Sequence, residues 1–210
     1  MRHWPLYGLR LRTPRLELRL PTMDELDELA DVADAGLHDP GLMPFARPWS
    51  LSPTLGRDIL QRHLGNQGTW RPDDWKFNLV AFLDGRPVGT QGIWAEHFAV
   101  VREVASGSWL GREFQGRGLG TEMRAALLHL AFEGLGADSA VTGSHPDNPS
   151  SIGVTLKLGY RPNGVTYAEL QGRKVEELRY RLDRDAWAAH RSVPVELEGL
   201  TPEALRLFGA

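Results

Sequence analysis

Apolar and charged residues alternate through Leu16-Glu17-Leu18-Arg19-Leu20, which predicts a half-buried strand. Leu26, Leu29, Ala30 and Ala33 then recur at helical spacing and predict an amphipathic helix over Met23–Asp34. Thr22 stands before it with Glu25 three residues on, the pattern of a capping box. Residues 36–54 break the periodicity with Pro40, Pro44, Pro48 and Pro53 and predict a long loop. A second helix is predicted over 54–64. Strands follow at 78–83 and 88–94, joined by the hairpin dipeptide Asp84-Gly85, and at Glu103–Leu110, where Gly107 marks a place for a bulge. A helix over 121–133, a short strand over 140–143 and a helix over 149–158 come next. Pro149 opens the last of these and Gly159 closes it. Residues 165–170 and 175–182 read as a hairpin across Gln171-Gly172, and Arg184–His190 as a short helix. The pattern predicts no element over 193–210.

The order β α α β β β α β α β β α predicts an α/β (α+β) fold, a mixed sheet of about six to seven strands with helices on its faces. At 210 residues and 41% apolar, the chain is expected to form one domain over 1–192, with 193–210 as an extension of unassigned role. The net charge of −3 argues against wholesale nucleic-acid binding. The absence of cysteine removes disulfides, zinc–thiolate sites and a Cys nucleophile. No apolar run approaches a membrane span, and Met1–Pro5 carries no apolar signal-peptide region, so the expectation is a cytoplasmic protein. The seven histidines show no paired spacing, and no metal site is expected.

Candidate chemistry concentrates in Gln115-Gly116-Arg117-Gly118-Leu119-Gly120, followed by Thr121-Glu122 at the start of a helix. Glycines at alternate positions leave the backbone open. A helix start presents unpaired N–H groups and the positive end of its dipole, a combination that binds phosphate. The dinucleotide fingerprint is not met, because Thr121 stands where its third glycine belongs. Nor is a Walker A loop, because Arg117-Gly118 follows Gly116 in place of Lys and Ser/Thr.

Three blocks in this order resemble the GNAT N-acetyltransferase superfamily. Glu103–Leu110 with Gln115 to Thr121 is similar to its acyl-CoA signature. Asp147-Asn148-Pro149-Ser150-Ser151-Ile152 with Lys157-Leu158-Gly159-Tyr160 is similar to the corresponding segment of its Rim-type branch, the ribosomal-protein acetyltransferases and their relatives. Gly172 to Leu182 with Asp185-Ala186-Trp187 resembles that branch's closing hairpin and helix, and Thr13-Pro14-Arg15-Leu16 its opening strand.

The resemblance implies a splayed sheet and acyl transfer from acetyl-CoA, or a longer donor such as succinyl-CoA, to a primary amine. That amine belongs to a small molecule or a protein N terminus. The implied assembly is a homodimer, with neither nucleic acid nor membrane as partner. Gln115, Gly116, Arg117, Gly118, Leu119, Gly120 and Thr121 would hold the pyrophosphate. Ser108, Trp109 and Leu110 would run beside the pantetheine arm, with an N–H near Leu110 for the oxyanion. Asn148 would bond the pantetheine or order the turn. The leaving-group tyrosine of many relatives is absent, since Thr155 occupies its place, and the role is transferred to Ser151. Glu103 is the expected general base, with Glu96, His97 and Glu113 as alternatives. The 36–54 loop, Trp70–Trp75 and 94–100 are expected to wall the acceptor pocket, with Trp49, Trp70 and Trp75 as a lid over the substrate. A non-catalytic acyl-CoA sensor is the competing expectation.

Overall fold

In the computed structural model, which describes residues 2–210, the apolar alternations pair into one sheet. Its strands are β1 (Arg10–Arg12), β2 (Leu16–Arg19), β3 (Asp74–Leu83), β4 (Arg86–Glu96), β5 (Glu103–Leu110), β6 (Ser139–Ser144), β7 (Arg161–Leu170), β8 (Arg173–Asp183) and β9 (Glu196–Glu198). Their order is β7-β8-β6-β5-β4-β3-β2-β1-β9, and every neighbouring pair is antiparallel except β5 and β6. The sheet exceeds the expected six to seven strands by β1 and β9. Each has three residues, too short for alternation to register.

Seven helices pack on this sheet: α1 (Met23–Asp34), α2 (Leu55–Gly68), α3 (Phe98–Val101), α4 (Leu119–His129), α5 (Pro149–Lys157), α6 (Arg184–His190) and α7 (Pro202–Phe208). The Thr22–Glu25 capping box is present in both directions. On one face α1 and α2 bury Leu26, Leu29 and Ile59 against Val80 and Phe82. On the other, α4 sinks Met123 and Leu127 into the main core with Leu18, Leu79 and Ile93. Asp84 and Gly85 both take positive φ, as a tight hairpin turn needs. Gly107 forms no bulge, because β4 and β5 keep register through it and a Cβ there would meet the Trp94 ring at 3.3 Å. The β3–β4 ladder shifts instead where Ala81 faces Gly89 and Phe82 faces Pro87, with Val88 of β4 the extra residue, and β7 shifts between Pro162 and Val165.

Residues 193–210 complete the same core. Leu197 pairs with Leu11, and α7 inserts the fully buried Phe208 between Trp70, Trp75 and Phe77. The turn between β9 and α7 needs Gly199, whose φ is +74° and whose Cβ would lie 2.0 Å from the Gly8 carbonyl oxygen.

Candidate active site

The glycine-rich segment folds as the turn between β5 and α4. Gly116 and Gly118 take φ of +72° and +79°, conformations that cost other residues energy. A Cβ at Gly116 would meet nothing within 4 Å, so the turn's outer side is open. Gln115 pins its start by donating from Nε2 to the carbonyls of Leu37 (2.8 Å) and Leu110 (2.9 Å). Among the described residues, the backbone N–H groups of Gly116 through Thr121 have no acceptor, and the first bond of α4 runs from Glu122 N to the Gly118 carbonyl. Such a row of free donors at a helix N-terminus is an anion cradle.

The cradle is braced from beneath. Glu122, buried in the first turn of α4, accepts from the Thr13 hydroxyl (2.6 Å), the Arg15 backbone N–H (2.9 Å) and Arg15 Nε (2.7 Å). Arg15 Nη1 also donates to the Arg117 carbonyl at 3.0 Å. Burial raises the Glu122 carboxyl pKa, but the Thr13 and Arg15 donors outweigh it and hold the group below its usual range. The β1–β2 turn thus fixes the cradle through one carboxylate.

Beside the cradle the sheet forks. β5 and β6 pair only at Glu103↔Ser139, Val104↔Ala140 and Ala105↔Val141. Beyond this β5 follows β4 to Leu110, while β6 follows β8 to Ser144. The Thr142 hydroxyl donates to the Ser106 carbonyl (3.1 Å) at the crotch. The rest of the β5 edge, to Leu110, has no strand partner on the fork side. His145, buried just past β6, has no partner for Nε2. Over the β5 arm, Trp109 meets Trp49 at 6.1 Å, and Trp49 meets Phe45 at 4.6 Å. The 36–54 loop therefore lies across the fork, and Asn148 Nδ2 reaches its Pro44 carbonyl at 3.5 Å.

Several sequence-derived residues meet here. Ser108, Trp109, Leu110 and the 115–121 turn share one arm of the fork. Asn148 caps α5 by accepting from Ser151 N (3.1 Å), and the Ser151 hydroxyl has no partner among the described residues. Others do not meet it. Glu103 lies where β5 and β6 are still paired, five residues and roughly 17 Å along the strand from Ser108. Its carboxylate is held by the Ser139 hydroxyl (2.8 Å) and Arg181. Glu96 ends β4 at that same side of the sheet, and His97 follows it. Glu113 is exposed in the turn after β5.

Trp70 and Trp75 form no lid. Trp75 is 1% exposed and donates to the Phe208 carbonyl (2.9 Å), Trp70 donates to the Leu207 carbonyl (2.8 Å), and the two rings stack at 5.8 Å. Trp75 pairs with Ala95, six residues and roughly 20 Å along β4 from Gly89, the partner of Leu110. Of the three expected lid tryptophans, only Trp49 stands near the fork.

Sequence reasoning missed a buried polar group on the α4–α5 side of the fork. Arg124, 4% exposed, donates to the Thr155 hydroxyl (3.0 Å) and the Ser108 hydroxyl (3.3 Å). Thr155 in turn donates to the Ser151 carbonyl at 2.8 Å. Tyr160, Ser106 and Gln91 are buried in the same layer, and the Tyr160 OH, Ser106 Oγ, Gln91 Oε1 and Arg124 Nε atoms all lack partners. Burial lowers the Arg124 pKa, with Tyr160 opposing, and raises that of the Tyr160 phenol, with Arg124 and Ser106 opposing. One signal was legible: Arg124 interrupts an otherwise apolar helix face between Met123 and Leu127.

A family model described as an acetyltransferase (GNAT) domain matches residues 15–161. Among solved structures, a Mycobacterium smegmatis RimJ in complex with a CoA disulfide is 20% identical. The match covers 89% of this chain and 97% of that one, with a TM-score of 0.66. A RimL ribosomal L7/L12 α-N-protein acetyltransferase in complex with coenzyme A is 20% identical, covering 83% and 97% at a TM-score of 0.62. A chimera of the spermidine N-acetyltransferase SpeG from Vibrio cholerae and hSSAT is 16% identical, covering 83% and 98% at a TM-score of 0.66. At these identities the likeness is one of fold.

Proposed function

The chain belongs to the acetyltransferase (GNAT) domain family, and on that premise we propose that it moves an acetyl group from acetyl-CoA to a primary amine by direct attack in a ternary complex. The observation that carries this reading is the coincidence of two features. The N–H groups of Gly116 through Thr121 have no acceptor among the described residues, and they stand beside a fork between two parallel strands. The first suits a diphosphate and the second an extended amide-bearing arm. The residues fit the group: Gly116 leaves the cradle open and the β5 edge has unpaired backbone. Acetyl-CoA supplies an activated thioester carbonyl.

This chain's residues do the rest by binding and orientation. The cradle fixes the diphosphate, and the β5 edge from Ser106 to Leu110 sets the direction of the arm. Phe45, Trp49 and Trp109 exclude water over that arm. Their apolar surface favours an amine flanked by an apolar segment, such as a protein N terminus, over a polyamine. The acidic residue of the 36–54 loop, Asp39, is already ion-paired with Arg112. Arg47, exposed in that loop, would supply a charge for the carboxylate of a succinyl donor.

A free-thiol assay tests this, pairing acetyl-CoA and succinyl-CoA with peptide N termini, amino acids and spermidine. Thiol release greatest with peptide N termini is the expected result. CoA binding without release from any amine would support a non-catalytic sensor instead. Release greatest with spermidine would remove the acceptor assignment.

A further inference from the structure

Arg124 is a buried cation without a counter-ion. Among the described residues no carboxylate lies within ion-pairing distance of it, and Tyr160 is the one titratable side chain that bears on its charge. An isolated charge in a protein interior costs several kcal/mol unless hydrogen bonds or an opposite charge offset it. Here two hydroxyls offset part of that cost, and Nε has no partner among the described residues. The guanidinium spans the fork. Ser108, one ligand, sits on the β5 arm, and Thr155, the other, sits on α5 behind the β6 arm.

The two hydroxyls differ in what they have left to give. Thr155 accepts from Arg124 and passes its own hydrogen to the Ser151 carbonyl at 2.8 Å. Ser108 accepts from Arg124, and its hydrogen has no acceptor among the described residues. Ser108 is also only half-buried, on the strand edge that the fork leaves unpaired. A hydroxyl that accepts from a cation is a stronger donor through its own hydrogen. The layer beneath adds the Tyr160 and Ser106 hydroxyls, which lie near enough for Ser106 to favour the ionised phenol. A cation with surplus donors around it is built for an anion.

We propose that Arg124, acting through the Ser108 hydroxyl, stabilises the thiolate that leaves when the acyl group is transferred. The inference rests on the acyl-CoA reading above. In the step, the amine nitrogen bonds the acyl carbon and loses a proton to water, while the carbon–sulfur bond breaks and its electron pair stays on sulfur. The sulfur leaves as thiolate, held by the Ser108 O–H and the Arg124 charge, and takes a proton from solvent on release. Arg124 is therefore a positioning residue that works through Ser108.

The test is the titration of the thiol of CoA bound to the protein, followed by thiolate absorbance near 240 nm. The titratable groups around the fork are Arg124, Tyr160 and His145, and their signals are subtracted with desulfo-CoA. In the wild-type protein the bound thiol titrates below the free one. Ser108→Ala and Arg124→Met each raise the midpoint by about one unit or more, the size expected on losing a nearby cation or its relay. Arg124→Lys restores part of the shift. Calorimetry with desulfo-CoA establishes the concentration at which each variant is saturated, so that the midpoints compare bound thiols. If Arg124→Met fails to fold, Ser108→Ala, which retains the cation, decides the matter. Equal thiol midpoints in wild type and Ser108→Ala, with CoA bound in both, overturn the inference and leave the acyl-CoA reading standing. Absence of any desulfo-CoA binding to the wild-type protein overturns both.

Discussion

The cradle at the head of α4 and the tryptophan cluster at the far end of β3 and β4 are both rich in residues that suggest a ligand. They differ in what their polar groups already hold. In the cluster the indole N–H groups of Trp70 and Trp75 each end on a carbonyl of the C-terminal helix, and every ring is packed on another. In the cradle the N–H groups from Gly116 to Thr121 end on nothing among the described residues. One indole N–H in the cluster, that of Trp4 against Trp70, is also unpaired, so what sets the cradle apart is a row of adjacent free donors rather than an isolated one.

That contrast breaks most visibly at Phe208. Phe208→Ala opens a cavity beneath three aromatic rings, and a loss of about 3–5 kcal/mol in unfolding free energy is expected. Chemical denaturation measures it. Acetyl-CoA affinity of the folded fraction should stay unchanged, and a matching loss of affinity would join the two regions.

Gly118→Asp strikes the other side. It puts a side chain at φ +79° and a negative charge where the diphosphate is held. Affinity for CoA should fall on the order of 100-fold, about 3 kcal/mol, in calorimetry, while the strained φ lowers the melting temperature by only a few degrees. A folded mutant with wild-type affinity would refute the cradle.

Glu122→Gln sharpens the comparison, because it touches the brace and not the cradle itself. It keeps the size but weakens two charge-assisted bonds to Arg15, so CoA affinity should fall roughly tenfold while stability falls about 1–2 kcal/mol. The pH dependence has a definite sign. The carboxyl is held below its usual range, so its contribution is complete above the unfolded value and is lost as pH falls through the folded one. Acidification below the usual carboxylate range should loosen CoA binding in the wild type and have less effect in Glu122→Gln.

The smallest effect at neutral pH belongs to His63, buried in α2, whose pKa is pushed down to about 4 by burial and then by Arg62. The unfolded chain takes up its proton first, so stability falls as pH drops from the usual imidazole value toward 4. His63→Leu should flatten that slope in thermal melts without altering it at pH 7.

What the sequence disclosed was local. The Thr22 capping box, the Asp84-Gly85 turn and the glycine turn each depend on neighbours within a few residues, and the chain spells them out. What stayed hidden needed distant partners. Glu122 finds Arg15 across 107 residues, Arg124 finds Thr155 across 31, and Trp75 finds Phe208 across 133. Trp70 and Trp75 read as a lid because their segment is polar, and only the returning tail shows that they are covered. Glu103 reads as a base because it shares a strand with the fork, yet register puts it at the closed end.

The central claim, that main-chain amides from Gly116 to Thr121 hold the diphosphate of CoA, is tested most directly by amide nitrogen–proton NMR of the labelled protein. On adding CoA, the resonances of those six residues should move furthest, and pantetheine, which lacks the diphosphate, should leave them in place. Six unmoved amides alongside large shifts elsewhere would contradict the account.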